Sequence, residues 1–278
     1  MVKLAEGIKN ENWDCLIVLD ACRYDIFEKV YRDYLDGELS EGISSCISTP
    51  GWLDGHFREG DYRDVVYVSG NPHINSRKTG EGFNVRKCFH KVVDVWNFGW
   101  DDRLGTVHPR EINNAFIKEF RLFPNKRYVL HYLQPHAPFL SLKESQTVGI
   151  TILQKMMKTP FGEMLRSLLG TNRLWAIEEK LSRLKLGISR LDPYTATLLA
   201  VGEEGFRKAY EDNLRIVLEH VRMLLETIEA SFVVVGDHGE LLGENGRFGH
   251  IFEKEFLPLL TTVPWCRVRG PKAALSNI

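Results

Sequence analysis

Four segments of this chain place residues that can bind a cation or move a proton directly after an apolar run. The densest reads VVVGDHGELLGENGRFGH. Gly236 lets the chain turn, and Asp237 and His238 follow at once. A carboxylate beside an imidazole offers two metal ligands from one short turn. His250 arrives a loop later, after Gly246 and Gly249. The bland reading of such a pair is a polar turn with a solvated histidine. A second segment, LIVLDACRYDIF, ends its apolar run on Asp20. An aspartate there suits a helix N-cap, here for a helix containing Tyr24. Arg23 and Asp25 suit an ion pair or an outer layer around a site. In the third, LHYLQPHAPFL, His136 stands between Pro135 and Pro138, which stiffen the loop, with His131 and Gln134 close by. A turn histidine with no task is the alternative. The fourth, SSCISTPGWL, gathers Ser44, Ser45, Ser48 and Thr49 ahead of Pro50 and Gly51. Such clusters commonly form turns. A hydroxyl at a helix N-terminus beside a divalent metal can also ionise and attack phosphorus.

These residues need a scaffold that brings four distant segments together. Near-continuous apolar runs at residues 15–19, 65–68, 128–132 and 232–235 predict strands covered by helices on both faces. Residues 91–95 and 259–263, the latter leading into Pro264 and Trp265, are further strand candidates. Helical periodicity marks 24–34, 109–120 and, longest, 206–228. The alternation predicts a single α/β domain over 1–278, a doubly wound, mostly parallel sheet flanked by helices. Ligand sites in such sheets gather beyond the carboxyl ends of the strands. Residues 140–201, rich in Leu, Lys, Met and Arg, break the rhythm and predict a helical insert or cap.

Bulk properties narrow the function classes. A length of 278 residues suits one large α/β domain, and a net charge of -1 argues against nucleic acid as a partner. The five cysteines are odd in number and form no CxxC pair, which fits a reduced, intracellular setting. Neither a signal peptide nor an apolar stretch of membrane-spanning length is evident, so a cytoplasmic protein is expected.

Taken in order, Asp, then Ser/Thr, then His, then Asp-His with a later His, the segments resemble the alkaline phosphatase/sulfatase superfamily. The resemblance covers nearly the whole chain apart from 140–201. It implies that Asp20, Asp237 and His238 bind a divalent metal, and that the hydroxyl two residues before Pro50, Ser48, is nucleophile and fourth ligand. Thr49 is the alternative, because relatives with a threonine nucleophile are common. It implies that His136 and His250 contact the substrate phosphate or a second metal, or protonate the leaving group. Two oxygens and one nitrogen suit Zn²⁺ or Mn²⁺ better than Ca²⁺. Cys46 is followed by Ile47 and Ser48, without the CxPxR of formylglycine sulfatases. Gln134 stands where many relatives carry Asp, so a second metal is expected to be weak or absent. Arg23 and Arg247 are further candidate anion contacts. Asn71, His73 and Asn75, and the segment holding Trp96, Trp100, Asp101 and Asp102, follow strands and are candidates for the same crevice.

The expected activity is hydrolysis or transfer of a phosphate or sulfate ester, small or linked to glycan or lipid, through a Ser/Thr ester. Phosphomutase or phosphodiesterase chemistry on the same fold is one rival. A sulfatase-like binding protein without a competent nucleophile is the other.

Overall fold

The computed structural model describes residues 1–58, 60–76, 85–142, 192–250 and 257–270. Its first half runs β1 (Val2–Lys3), α1 (Leu4–Asn10), β2 (Cys15–Asp20), α2 (Tyr24–Val30), β3 (Gly37–Ile43), α3 (Thr49–Phe57), β4 (Tyr62–Ser69), α4 (Val85–Cys88) and β5 (Phe89–Asp94). Then come α5 (Val95–Phe98), β6 (Trp100–Asp101), β7 (Thr106–Val107), α6 (Pro109–Leu122) and β8 (Arg127–Pro135). The second half holds α7 (Pro193–Leu225), β9 (Ser231–Gly236), β10 (Leu241–Glu244), β11 (Arg247–Gly249), α8 (Leu257–Thr261) and β12 (Thr262–Arg269).

Eight of these strands form one sheet in the order β1-β3-β12-β9-β2-β8-β4-β5. β12 pairs antiparallel with both neighbours, and every other pairing in the sheet is parallel. The central strands β9, β2, β8 and β4 are the apolar runs read from the sequence. Parallel strands buried on both faces must be apolar at nearly every position.

Because side chains alternate along a strand, each face has its own core. One face carries Cys15, Ile17 and Leu19 of β2 with Phe232 and Val234 of β9, covered by α2, α6 and the Leu214–Leu225 stripe of α7. The other carries Leu16, Val18, Val233, Val235, Val65, Tyr67 and Val129, covered by α1, Trp13 and the Trp52–Phe57 face of α3. α7 is two helical segments meeting at Gly202, whose φ of 69° lies in the left-handed region. Asp192 caps its start, accepting from the Tyr194 and Thr195 N–H groups at 3.1 Å each.

Several sequence expectations need adjustment. Of the expected strand at 259–263, only Thr262 and Val263 are extended, and Leu259–Thr261 are helical. Pro258 sits in the first turn of the short α8, and the strand starts at Thr262 and continues through Pro264. Pro264 is opposed by Glu41 of β3, while pairing with β9 begins only at Trp265, so its missing N–H falls where that ladder stops. β3 escaped notice because its sequence, GELSEGI, is largely polar and mostly half-exposed. Of the expected helical insert at 140–201, residues 143–191 lie outside the described residues, and Pro193–Val201 forms the first segment of α7. The described cysteines are all free, and Cys15, Cys22 and Cys266 are buried as small apolar groups. Among the described residues, no helix is long and apolar enough to cross a membrane.

Gly236, at the end of β9, is tightly enclosed. A Cβ there would lie 2.6 Å from the Cys22 carbonyl oxygen and 3.1 Å from Val263 Cβ. Gly236→Ala should therefore cost about 1–3 kcal/mol in urea unfolding, since backbone rather than a flexible side chain must yield. An unchanged urea midpoint would show that the turn into Asp237 is not constrained as described.

Candidate active site

Strand parity puts the reactive groups on one face. Val18 pairs with His131 and Val235 pairs with Val18, so Asp20, His131 and Asp237 all continue the face carrying Val18, Val129 and Val235. At the end of β2 the register with β8 slips: Leu19 pairs with Tyr132, but Asp20 pairs with Pro135. Such irregularities re-aim side chains beside functional sites. Here Gln134 leaves the ladder, and its amide donates to Thr106 Oγ1 at 3.2 Å and to the Val107 carbonyl at 3.1 Å. It does not face the site.

The inner cluster is Asp20, Thr49, Asn71, His131, Asp237 and His238, all buried. The Ala21 and His238 N–H groups donate to Asp237 Oδ1 at 2.9 and 2.8 Å, which leaves Oδ2 as the free oxygen. Ala21 adopts φ 59°, an uncommon conformation for a residue with a Cβ, and the Tyr210 hydroxyl donates to its carbonyl at 2.6 Å. Asn71 Nδ2 donates to Asp20 Oδ2 at 2.6 Å. Thr49 Oγ1 lies 3.4 Å from each Asp20 oxygen.

The donor set fits a divalent cation. Asp237 Oδ2, His238 Nε2 and His131 Nε2 are buried and lack any hydrogen-bond partner. His238 Nε2 lies 3.6 Å from Asp20 Oδ1 and 3.6 Å from Asp237 Oδ2, and His131 Nε2 lies 3.8 Å from Asp237 Oδ2. These separations are too long for hydrogen bonds. The 3.6 Å pairs match ligands sharing an ion, since bonds of about 2.0–2.2 Å at tetrahedral angles hold ligand atoms about 3.3–3.6 Å apart. Electrostatics agree. Burial, then the charge of Asp237, push the Asp20 carboxyl well above its usual range, against the Asn71 and Thr49 hydrogen bonds. Burial acts to raise Asp237 too, but His238 and the two backbone N–H groups outweigh it and hold Asp237 low. A cation between the two carboxylates would relieve their repulsion. Burial pushes the His131 imidazole down to about 4, so it is neutral at neutral pH.

An outer cluster sits beside this one. His136, Glu240 and His250 place ligand-type atoms within 4.8 Å of one another. The His250 ring is 4.7 Å from that of His238. His250 Nδ1 bonds Glu240 Oε1 at 3.1 Å. Burial would lower His250, but the hydrogen bond and charge of Glu240 outweigh it and raise the imidazole above its ordinary range. Burial depresses His136 despite the Glu240 charge. Both His136 nitrogens are engaged, Nδ1 with the Ala137 carbonyl at 2.5 Å and Nε2 with the Tyr194 hydroxyl at 2.7 Å. The same hydroxyl lies 2.7 Å from Glu240 Oε2.

The structure thus brings Asp20, Thr49, Asp237 and His238 together and sets His136 and His250 alongside. Among the described residues no hydrogen bond ties the Ser48 side chain to the cluster. Ser48 is the extended residue before α3, and the helix begins with Thr49 turned toward Asp20. Arg23 is not an anion contact. Its guanidinium is buried against Asp25 at 2.8 Å, Glu244 at 2.5 Å and the Glu240 carbonyl at 3.2 Å. Arg247 is exposed on β11, and Trp100 is exposed while Trp96 packs on the core. Sequence reasoning gave no role to His131, Glu240 or Tyr194. The signal for His131 was a lone polar residue inside the apolar run YVLHY. Glu240 was in plain view in GDHGE, whereas nothing local marks Tyr194.

No protein-family model matches the chain, and no curated protein sequence matches it. Solved structures do. The soluble domain of lipooligosaccharide phosphoethanolamine transferase A from Neisseria meningitidis superposes with a TM-score of 0.50 at 13% identity, over 96% of this chain and 81% of that one. The C-terminal periplasmic domain of EcEptC from Escherichia coli, in complex with Zn, gives 0.51 at 12% identity, over 94% of this chain and 74% of its own. A protein in the alkaline phosphatase superfamily from Vibrio parahaemolyticus gives 0.45 at 10% identity, over 94% and 61%. The chain has the fold of the alkaline phosphatase/sulfatase superfamily, as its motifs suggest. One of these relatives is periplasmic, so the likeness lends no support to a cytoplasmic setting.

If Glu240 is what raises His250, Glu240→Gln should drop the His250 titration midpoint below the ordinary 6.5, because burial then acts without the carboxylate. An NMR titration of the metal-free protein reads this directly. A midpoint that stays where it was would assign the shift to another group.

Proposed function

We propose that this chain is a divalent-metal-dependent enzyme that transfers or hydrolyses a phosphoryl group through an ester of Thr49. The observation that carries the reading is the convergence of two unpartnered buried atoms, Asp237 Oδ2 and His238 Nε2, with Asp20 and the Thr49 hydroxyl. Asp20, Asp237, His238 and Thr49 would hold the ion. Three oxygens and a nitrogen suit Zn²⁺ or Mn²⁺, and the Escherichia coli relative was solved with Zn. The ion would screen the phosphate charge and favour the ionised Thr49 hydroxyl.

The residues then divide the work. Thr49 opens α3, so its Oγ1 sits at the positive end of a nine-residue helix, where an alkoxide or phosphate oxygen is favoured. Asp20, 3.4 Å away, is placed to take the hydroxyl proton. Asn71 Nδ2, 3.3 Å from Thr49 Oγ1, helps fix its direction. Thr49 Oγ1 forms the new bond to phosphorus as the bond to the leaving oxygen breaks. Water or an acceptor alcohol then releases the phosphoryl group from Thr49. Glu240 holds His250 through Nδ1 and raises its imidazole, so the half-exposed ring leaves Nε2 to donate to a phosphoryl oxygen or the leaving group. His136 has both nitrogens occupied, which favours support of the anion site over ligation of a second metal. The Neisseria meningitidis domain that superposes at a TM-score of 0.50 is named for phosphoethanolamine transfer, which agrees with a phosphoester substrate.

Metal analysis of the purified full chain, with a screen of aryl phosphates, phosphodiesters and sulfates, tests the assignment. On any cleaved substrate, Thr49→Ala should lower turnover by at least about 10³-fold. Metal should remain bound, because Asp20, Asp237 and His238 persist. Ser48→Ala should stay active. The reverse pattern, an inactive Ser48→Ala and an active Thr49→Ala, would transfer the nucleophile to Ser48. Asp237→Asn should abolish metal uptake, and full occupancy in that variant would sink the site.

A further inference from the structure

One fully buried imidazole beside the metal site has no part in the scheme above. His131, Tyr67 and Trp52 are each 0% exposed and joined in a row. Trp52 Nε1 lies 3.0 Å from Tyr67 Oη, and Tyr67 Oη lies 2.8 Å from His131 Nδ1. An indole N–H can only donate, so Trp52 gives its hydrogen to Tyr67. Tyr67 then has one proton of its own to place. Among the described residues, the only other hydrogen-bond partner of its hydroxyl is His131 Nδ1. Tyr67 therefore donates and Nδ1 accepts. A neutral imidazole that accepts at Nδ1 carries its hydrogen on Nε2. The row runs one way, from Trp52 through Tyr67 to His131, and ends as an N–H aimed at the carboxylates.

That N–H has nothing else to bond. His131 Nε2 is buried without a partner, and Asp237 Oδ2 at 3.8 Å is its near carboxylate oxygen. Asp237 Oδ1 is already taken by the Ala21 and His238 N–H groups. At 3.8 Å the His131 N–H faces Oδ2 from beyond hydrogen-bond reach, so it acts on that oxygen by orientation and charge and leaves the Oδ2 lone pairs for an ion.

We propose that His131 is a positioning residue: it presents an N–H, rather than a lone pair, to Asp237 Oδ2, and so stands behind the metal's ligands instead of among them. This rests on the metal reading of Asp20, Asp237 and His238. The opposite arrangement, His131 as a nitrogen ligand, requires Nδ1–H to donate to Tyr67. Tyr67 Oη would then accept from two donors, and its own buried hydroxyl hydrogen would lose its acceptor. The donor arrangement keeps the site at one nitrogen, from His238, while the backbone N–H groups on Oδ1 leave Asp237 to bind through Oδ2. It also explains why a polar residue interrupts β8 where Val129 precedes it on the same face.

Nitrogen-15 NMR of the histidine-labelled full chain tests this, without zinc and with Zn²⁺ added. His131 should show its hydrogen on Nε2 in both states. Hydrogen on Nδ1 in the zinc-loaded protein, with Nε2 bound to metal, would overturn the proposal while leaving the metal reading intact. A chain that takes up no divalent ion would overturn both. A second measurement uses Co²⁺ and its visible absorption. His131→Gln should keep one Co²⁺ per chain, with band intensities matching the unaltered protein, and lose affinity on the order of 10–100-fold, as partners of metal ligands do. A band pattern showing a lost ligand would overturn the proposal. If the variant does not fold, the labelled unaltered chain still decides.

Discussion

Two carboxylates in a dry place set the terms for this molecule. Asp20 and Asp237 end adjacent parallel strands and are withdrawn from water. Like charges at such range in a poorly polarisable interior repel strongly, and a buried charge without a partner is costly. Much of the surrounding structure makes this pairing tolerable. Backbone N–H groups fix Asp237 Oδ1, the Asn71 amide fixes Asp20 Oδ2, and the Tyr210 hydroxyl secures the carbonyl of Ala21, whose φ of 59° is unusual for a residue with a side chain. A fold selected for stability alone would replace such a pair with apolar groups. Its retention at strand ends is the physical mark of a site built around positive charge.

The sheet makes the site possible in two ways. Parallel pairing puts the carboxyl ends of β2, β9, β8 and β4 on one edge, so residues far apart in sequence meet there. Alternation then selects which of them share a face. Asp20, His131 and Asp237 continue the face of Val18, Val129 and Val235, and the aromatic layer of α3 closes over it. Trp52 and Tyr67 belong to that apolar layer, yet their two polar atoms bond to each other and to His131. The core that stabilises this face also orients a group at the site.

Much of this was legible in the sequence. The four central strands announced themselves as apolar runs, and the carboxyl-end rule then pointed to Asp20, Asp237 and His238. Tertiary pairing hid the rest. β3 is polar because it lies near the sheet's edge, and β12 contains a proline that only the actual register excuses. Counting back from Pro50 favoured Ser48, but spacing fixes position and not direction. Only the observed start of α3, with Ser48 extended and Thr49 helical, decides which hydroxyl meets Asp20. Gln134 stands where many relatives carry Asp, which in the sequence weighed only against a second metal. A register slip turns it away, and the carboxylate facing the histidines is Glu240, from a different strand end.

The two neighbouring clusters differ in a way that bears on their tasks. In the inner one, Asp237 Oδ2 and His238 Nε2 lack hydrogen-bond partners, and their separations suit coordination better than hydrogen bonding. In the outer one, His136, Glu240, His250 and Tyr194 are joined by short bonds. A resident ion suits the first, because unpartnered buried donors are tolerable only when something permanent satisfies them. On the proposed reading an exchangeable anion suits the second, because Glu240 holds His250 through Nδ1 and leaves its other ring nitrogen for a phosphate oxygen. Tyr194 opens α7, whereas His136 follows β8 and Glu240 follows β9. The outer cluster thus takes Tyr194 from α7, and its geometry depends on how α7 packs. The inner cluster is carried by strand ends of the sheet, with α3 supplying the Thr49 hydroxyl. A substrate-dependent adjustment at the outer cluster can therefore leave the inner ligands undisturbed.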